Sequence, residues 1–171
     1  MIAVALLSVL TGTFDASATL GGATPFGGLE YYQEGGMTGS VAVGYNAGRS
    51  HWEIGGELLN LPGAQQPTYA LNDLRVSPAY HYAFVNKADW QLRGGIGLDW
   101  NDLTRTLGSV AENGSVFGST LTFSYVRRLG HPEFLFQLYG SEMLDPGQGG
   151  GNRAAQDATL VGVRIGVGYE F

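Results

Sequence analysis

The chain has 171 residues and a net charge of -6, and only 14% of its residues are charged, against roughly 25% in an average soluble protein. This length suits one domain with its own core rather than two, and an acidic chain without a basic run excludes a nucleic-acid partner. The absence of cysteine excludes disulfides and thiolate sites, and no run of about 18 apolar residues is present to form a transmembrane helix.

Residues 1–18 match a signal peptide that lacks the usual basic first region. Ile2 to Leu10 form a short apolar core, and Ala16-Ser17-Ala18 matches the small-x-small pattern of a cleavage site. The alternative is a first strand or a peripheral apolar segment. We expect the mature protein to begin at Thr19, and we assign residues 19–171 to the folded domain.

Eight segments of this domain alternate apolar and polar residues, as is typical of β-strands, and Gly, Asn, Asp or Pro bounds them. In chain order they are residues 25–33, 38–46, 51–60, 72–84, 90–101, 115–127, 133–143 and 159–171. The first alternates poorly. The fifth, WQLRGGIGLDW, has large apolar side chains on one face and Gly, Gln, Arg and Asp on the other. The pattern predicts an all-β protein with eight antiparallel strands.

Alternating strands fit two kinds of barrel, one with its apolar side chains inside and one with them outside. Here the apolar faces carry Trp, Phe and Tyr, while the polar faces carry mostly Gly, Ala, Ser and Thr. Because an eight-stranded barrel has room inside for only modest side chains, the bulky face should point outward into lipid. Trp90 and Trp100 on a tilted strand would differ in height by about 25 Å, and with Trp52 they predict an aromatic girdle.

The links between the predicted strands alternate in length. Short links occur at residues 46–50, 85–89 and 128–132, long ones at 61–72, 102–114 and 142–158, and the link at 33–37 is a short exception. This alternation predicts an up-and-down transmembrane barrel with periplasmic turns at one end and external loops at the other. The barrel should close, because an open sheet edge would leave unpaired amides in hydrocarbon.

Charged side chains and one histidine fall on the inward faces and form a predicted lumen polar network. Its members are Glu53, Glu57, Arg75, His81, Arg93, Asp99, Arg164 and Glu170. Because an unpaired buried charge is costly, these groups should pair and plug the lumen. A narrow water-filled or proton-conducting path is the alternative. His51 and His131 are expected at turns and no paired-histidine spacing occurs, so the sequence predicts no metal site, no cofactor and no catalytic residue.

The C-terminal strand, TLVGVRIGVGYEF, alternates apolar residues up to Tyr169 and Phe171. It resembles the sorting signal of bacterial outer-membrane barrels, and residues 19–171 resemble the small eight-stranded outer-membrane barrel family, with a lipid A deacylase-like or opacity/adhesin-like layout. The resemblance implies location in the bacterial outer membrane and contact with its lipid and lipopolysaccharide. It also implies that the barrel-assembly machinery recognises Tyr169 and Phe171. A monomer is expected.

The lipid A deacylases use a His-x-Ser pair on the seventh strand and a later Glu, and their serine faces lipid. In the comparable stretch here, FLFQLYGSEML, Tyr139 stands where the histidine would be. Ser141 shares its face with Gln137 and Glu133 instead of the lipid side. A serine without an adjacent base is a poor nucleophile, so the resemblance covers the barrel and fails at the catalytic site.

The sequence therefore favours a non-enzymatic outer-membrane barrel that acts as a surface, integrity or adhesion scaffold through its external loops. These loops are rich in Gly, Pro, Gln and Asn, which is typical of solvent-facing segments that carry recognition on a rigid scaffold. An extracellular ligand would bind there. Two alternatives stay open, namely a lipid A-modifying enzyme of the deacylase type and a narrow pore for small solutes or ions.

Overall fold

The computed structural model describes residues 12–27, 33–64, 69–107, 109–144 and 158–171. The strands are β1 (Thr13–Gly27), β2 (Gly36–Ala47), β3 (Ser50–Pro62), β4 (Tyr69–Asn86), β5 (Trp90–Leu107), β6 (Val110–Arg128), β7 (Pro132–Leu144) and β8 (Ala158–Glu170). They form one closed antiparallel barrel, in which each strand pairs with its neighbours in sequence and β1 also pairs with β8. The predicted fold class is confirmed. Within the described ranges, no helix is long and apolar enough to cross a bilayer.

Seven strands lie where they were predicted, and their ends differ by a few residues. The prediction for the first strand was wrong, because β1 covers Thr13–Gly27 instead of residues 25–33. Small residues occupy most of β1, so its alternation is weak, and Ala16 to Ala18 also match a cleavage pattern. In the structure residues 13–18 pair with β2. Cleavage after Ala18 stays a prediction, and it would remove the first six residues of β1.

The side chains are sorted between the outside and the inside of the barrel as predicted. Outward apolar side chains are exposed at the surface, including Leu98 at 68% and Ile165 at 54%. Inward positions on the same strands are buried, including Arg93 at 5% and Asp99 at 1%. A soluble barrel would have the reverse arrangement. The exterior therefore carries a lipid-facing belt, by which we mean the ring of outward apolar side chains around all eight strands.

Glycine at inward positions makes room for large polar groups from the adjacent strands. A Cβ atom on Gly95 would collide with the imidazole of His81, and one on Gly162 would collide with the ring of Tyr139. The interior of an eight-stranded barrel is narrow. The high glycine content of the chain is therefore consistent with a lumen that a few large side chains fill.

One end of the barrel, which we call the turn end, holds Gly12, Phe171 and three short links. These links cover residues 48–49, 87–89 and 129–131, in agreement with the predicted short turns. Gly48 and Gly130 have φ values of 66° and 89°, a region that L side chains rarely adopt and glycine adopts readily. The turns are therefore tight enough to join adjacent strands directly.

The opposite end, which we call the loop end, is built more from strand than was predicted. Residues 102–114 were expected to form a loop, but β5 continues to Leu107 and β6 begins at Val110, with pairing up to these two residues. This β5–β6 hairpin extends beyond Trp100 by residues 101–107, which corresponds to about 18 Å of height along the barrel axis for a tilted strand.

The other links at the loop end lie partly or wholly outside the described ranges. Because β1 ends at Gly27, the link to β2 spans residues 28–35 rather than the predicted 33–37. Gln33 forms a bridge with Gly63 at the end of β3. Residues 28–32, 65–68 and 145–157 lie outside the described residues.

Candidate functional site

Arg75 on β4 lies inside the barrel, and only 2% of its surface is exposed. Its guanidinium nitrogens lie 3.5 Å from Glu57 Oε2, 3.2 Å from Asp73 Oδ2 and 3.9 Å from Asp99 Oδ2. Arg75 Nε donates a hydrogen bond of 2.8 Å to Asn101 Oδ1. Away from water, Coulomb attraction between these groups offsets much of the cost of burying them.

A second cation, Arg164, completes what we call the central cluster (Glu57, Asp73, Arg75, Asp99 and Arg164). Arg164 Nη2 lies 2.6 Å from Glu57 Oε2, and its guanidinium carbon lies 3.8 Å from the ring centroid of Tyr139, a cation–π contact. Asp99 accepts hydrogen bonds from Ser77 Oγ at 2.6 Å and from the Thr120 hydroxyl. The central cluster thus joins strands from around the barrel and fills the middle of the lumen.

A second cluster of polar side chains fills the lumen near the turns. We call it the turn-end cluster, and its members are Asp15, His51, Glu53, His81 and Arg93. His51 and His81 face each other in the β3–β4 register. His51 Nε2 lies 3.0 Å from Asp15 Oδ2, and His81 Nε2 lies 3.1 Å from Glu53 Oε1. The ligand atoms of His51, Glu53 and His81 all lie within 4.8 Å of one another, and imidazole and carboxylate are residue types that bind divalent metals.

Apolar side chains close the lumen at the loop end, a feature that the sequence analysis did not predict. This apolar cap consists of Ala23, Leu59, Leu61, Leu71, Leu103, Val116, Tyr139, Met143 and Leu160. Outward neighbours on the loop side of the cap, such as Asn60, Asn72 and Asp102, are polar, and Asn60 Nδ2 donates a hydrogen bond of 2.6 Å to Asn72 Oδ1 on the exterior. The sorting of side chains therefore inverts beyond the lipid-facing belt, where water surrounds the strands and the inside becomes the apolar side.

The structure brings most of the predicted lumen polar network together. Glu57, Arg75, Asp99 and Arg164 lie in the central cluster, and Glu53, His81 and Arg93 lie in the turn-end cluster. Glu170 lies opposite Asp15 of the turn-end cluster in the β1–β8 register, and its carboxylate accepts a hydrogen bond from the Thr13 hydroxyl.

The sequence analysis missed Asp15, His51 and Asp73 as lumen residues. Asp15 was assigned to the signal peptide, and His51 was assigned to a turn, but β3 begins at Ser50 and His51 is 5% exposed. His131 is exposed at the turn between β6 and β7. His51 and Asp73 each lie two residues from a predicted lumen residue, so strict alternation through the strand ends would have identified both.

The three tryptophans lie on the outside of the barrel. Trp52 and Trp100 are 44% and 54% exposed. The Trp52 ring centroid lies 5.5 Å from that of Tyr80, and the Trp90 ring centroid lies 6.1 Å from that of Tyr125. Their depth in a bilayer, and so their role as an aromatic girdle, stays a prediction.

Ser141, the counterpart of the deacylase serine, lies inside the barrel. It is 2% exposed, and its Oγ donates a hydrogen bond of 3.5 Å to Asp99 Oδ2. Tyr139, which stands in place of the catalytic histidine, also faces the lumen and packs on Arg164. An acyl chain in the surrounding lipid would not reach this hydroxyl.

A shallow depression of about 900 Å³ lies on the outside of β1, β2 and β3. Small residues, Ala18, Gly39 and Gly56, form its floor, and larger side chains such as Leu20 and Ile165 border it. Because the depression belongs to the lipid-facing belt and its lining is apolar, it suits contact with acyl chains.

Solved structures with the same fold include Neisserial surface protein A, with a TM-score of 0.72 and 12% identity over 92% of this chain and 97% of that chain. The outer membrane protein OprG of Pseudomonas aeruginosa gives a TM-score of 0.65 and 14% identity over 94% and 96% of the two chains. Ail, the attachment invasion locus protein of Yersinia pestis, gives a TM-score of 0.56 and 12% identity over 92% of this chain and 98% of that chain. No protein-family model and no curated protein sequence matches the chain. The chain therefore has the fold of the small eight-stranded β-barrels of bacterial outer membranes.

Proposed function

We propose that this chain is a non-enzymatic scaffold of a bacterial outer membrane, which holds its loop-end strands and loops in a fixed arrangement for contact with the environment or a partner. The observation that carries the proposal is the filled lumen. Arg75 in the central cluster is 2% exposed, and Leu61 and Leu160 in the apolar cap have no exposed surface. A barrel that is filled in this way has no room for a solute to pass, and it gains rigidity from its interior contacts.

The β5–β6 hairpin supports the proposal from the outside of the molecule. It continues beyond the lipid-facing belt, and its outward positions change from Trp100 and Phe117 to Asp102 and Ser115, which form a hydrogen bond of 3.4 Å. Paired strands keep such a polar surface at a defined position above the bilayer. Recognition surfaces are commonly built in this way on a rigid barrel.

The proposal includes contact with membrane lipid and lipopolysaccharide through the lipid-facing belt, and insertion by the barrel-assembly machinery. The belt supports the first, because outward apolar side chains surround the barrel. The C-terminal Tyr169 and Phe171, whose ring centroids are 5.2 Å apart on the exterior, support the second, because they are accessible to a recognising protein. The buried position of Ser141 argues against a deacylase site on β7.

The pore alternative is tested by planar-bilayer recording on the purified barrel. Because the central cluster and the apolar cap fill the lumen, we expect no stepwise conductance at moderate voltage and salt. Regular conductance steps in the unmodified protein would contradict the proposal.

The scaffold function is tested with a variant in which an Asn-Gly turn joins Leu103 directly to Gly114, a pair in the native β5–β6 register. Cells that produce this variant should lose adhesion to immobilised extracellular-matrix proteins and to one another, while the barrel still folds. Arg49→Ala, at the exposed turn between β2 and β3, is the control and should leave adhesion unchanged. Equal adhesion by cells with and without the protein would reject the proposal.

Mass spectrometry of lipid A from the same cells checks the enzyme alternative.

A further inference from the structure

We propose that His51, Glu53 and His81 form a binding site for one divalent transition-metal ion, of which Zn²⁺ is the best fit, inside the turn end of the barrel. The site is built from two adjacent strands. His51 on β3 faces His81 on β4 in register, and Glu53 is the next inward residue of β3. Two imidazoles and a carboxylate are a ligand set that zinc uses when one coordination position stays open.

Each histidine has one ring nitrogen beside an oxygen of Asp15 or Thr122 and the other directed toward the carboxylate of Glu53. His51 Nε2 lies 3.0 Å from Asp15 Oδ2, and His81 Nδ1 lies 3.2 Å from Thr122 Oγ1. His51 Nδ1 and His81 Nε2, both buried, meet no hydrogen-bond criterion with any described residue. They lie 3.8 Å and 3.1 Å from the two oxygens of Glu53.

This arrangement orients lone pairs toward one point. A neutral imidazole carries its proton on one nitrogen, and Asp15 favours the proton on Nε2 of His51 because its carboxylate accepts a hydrogen bond from that N–H. The lone pair of His51 Nδ1 then points toward Glu53. The Thr122 hydroxyl can accept a hydrogen bond from His81 Nδ1, and in that tautomer the lone pair of His81 Nε2 also points toward Glu53. Metal-binding histidines characteristically use their second nitrogen in this way, to donate to a carboxylate or another oxygen.

The distances require only a small adjustment to bind an ion. The three ligand atoms lie within 4.8 Å of one another, whereas bonds of about 2.0–2.1 Å to a tetrahedral ion hold ligand atoms about 3.4 Å apart. Side-chain movements of about 1 Å would close the difference. A cavity of about 20 Å³, which His51, Glu53 and His81 line together with Glu133 and Arg93, lies beside the ligands. That volume is enough for one water molecule in the open position.

The local charge also favours a cation. Asp15, Glu53 and Glu133 line the cavity, and Arg93 is the cation among the residues that line it. Arg128 lies 3.3 Å from Glu133 and pairs with that carboxylate. Arg93 donates its hydrogen bonds to Gln91 and Asn46 rather than to the carboxylate of Glu53. With neutral histidines, three carboxylates and two guanidiniums leave one negative charge for a bound ion to balance.

The test is titration of the folded full-length barrel in detergent with Co²⁺, a spectroscopic substitute for Zn²⁺. We expect saturation at one equivalent with visible ligand-field absorption, and loss of that absorption on addition of Zn²⁺. His51→Gln and His81→Gln should each weaken Co²⁺ binding by at least about tenfold, since each removes a ligand. His131→Gln is the matched control, because His131 is exposed at a turn and contacts the Glu170 carbonyl at 3.0 Å.

No saturable Co²⁺ binding below about 1 mM by the unmodified barrel would overturn the proposal, because it would mean that the cluster is an ion-paired network without a metal. Equal binding by His51→Gln, His81→Gln and the control would overturn it as well. If the two variants fail to fold, electron paramagnetic resonance of the unmodified barrel with one equivalent of Cu²⁺ decides. Hyperfine coupling to two imidazole nitrogens supports the site, and its absence rejects it.

Discussion

Arg75 faces three carboxylates within 4 Å and is almost completely buried, so the charge balance of the central cluster depends on it. Arg75→Ala leaves Glu57, Asp73 and Asp99 close together with one cation fewer. We expect the free energy of unfolding to fall by about 3–5 kcal/mol, the usual cost of breaking a buried ion pair by removing one partner. Urea unfolding followed by tryptophan fluorescence measures the loss.

The matched control for Arg75 is Arg127, which also pairs with an aspartate. Arg127 Nη1 lies 2.9 Å from Asp89 Oδ2, but both side chains are about half exposed. Water screens such a pair, so Arg127→Ala should cost less than about 1 kcal/mol. If the two alanine variants unfolded at the same urea concentration, the central cluster would not stabilise the barrel.

Phe171 is held by its backbone, while its ring is 69% exposed. Its N–H donates a hydrogen bond of 2.8 Å to the carbonyl oxygen of Phe14, which a side-chain change does not remove. If the ring is an assembly signal, Phe171→Ala should lower the amount of folded barrel in cells several-fold without changing refolding into detergent. Phe117→Ala, which removes a ring that is 64% exposed elsewhere on the belt, should do neither. A parallel loss in cells and in detergent would indicate a stability defect instead.

Strands β1 and β8 close the barrel, and glycine allows their backbones to approach. A Cβ atom on Gly166 would collide with the carbonyl oxygen of Ala18 on β1. Because backbone cannot move aside as a side chain can, Gly166→Ala should destabilise the barrel by about 1–3 kcal/mol. Gly56 on β3 has no atom within 4 Å of an added Cβ, so Gly56→Ala is the matched control and should be nearly neutral. The folded fraction is measured against urea concentration from the gel band of the unboiled, folded barrel, which migrates differently from the unfolded chain. Equal urea midpoints for the two variants would contradict close packing between β1 and β8.

The sequence predicted seven strands well because their alternation is strong, and failed for β1 because Ala, Ser, Thr and Gly give little contrast between the two faces. Four of the five members of the central cluster were predicted, since they lie at inward positions of clear strands, and Asp73 was missed. The pairing of His51 with His81 was not predicted, because it depends on the register across a hairpin whose link length was unknown. The apolar cap was missed because the apolar residues of β3 move from outward to inward positions near its end. Inward and outward positions still alternate there, as inward Leu59 and Leu61 and outward Asn60 show.

The position of the whole barrel in a bilayer is testable through its three tryptophans, which all lie outside. In variants that retain only Trp52, Trp90 or Trp100, with phenylalanine at the other two positions, lipids brominated near the headgroups should quench fluorescence more than lipids brominated near the chain ends. Tryptophan prefers the interface because its ring is apolar and its N–H is polar. Strongest quenching by bromine at the bilayer centre would contradict the predicted girdle.

The outward face of β3 changes from apolar at Leu58 to polar at Asn60, and this change marks the boundary between the membrane and water on the molecule. The depth to which the barrel inserts is then set by the position at which outward apolar side chains give way to polar ones. It does not depend on the length of a strand beyond that position. Adding paired residues to the β5–β6 hairpin would raise its tip further from the cell and leave the immersed portion at the same depth. The β5–β6 hairpin can therefore vary in length without a change in how the barrel is held in the membrane.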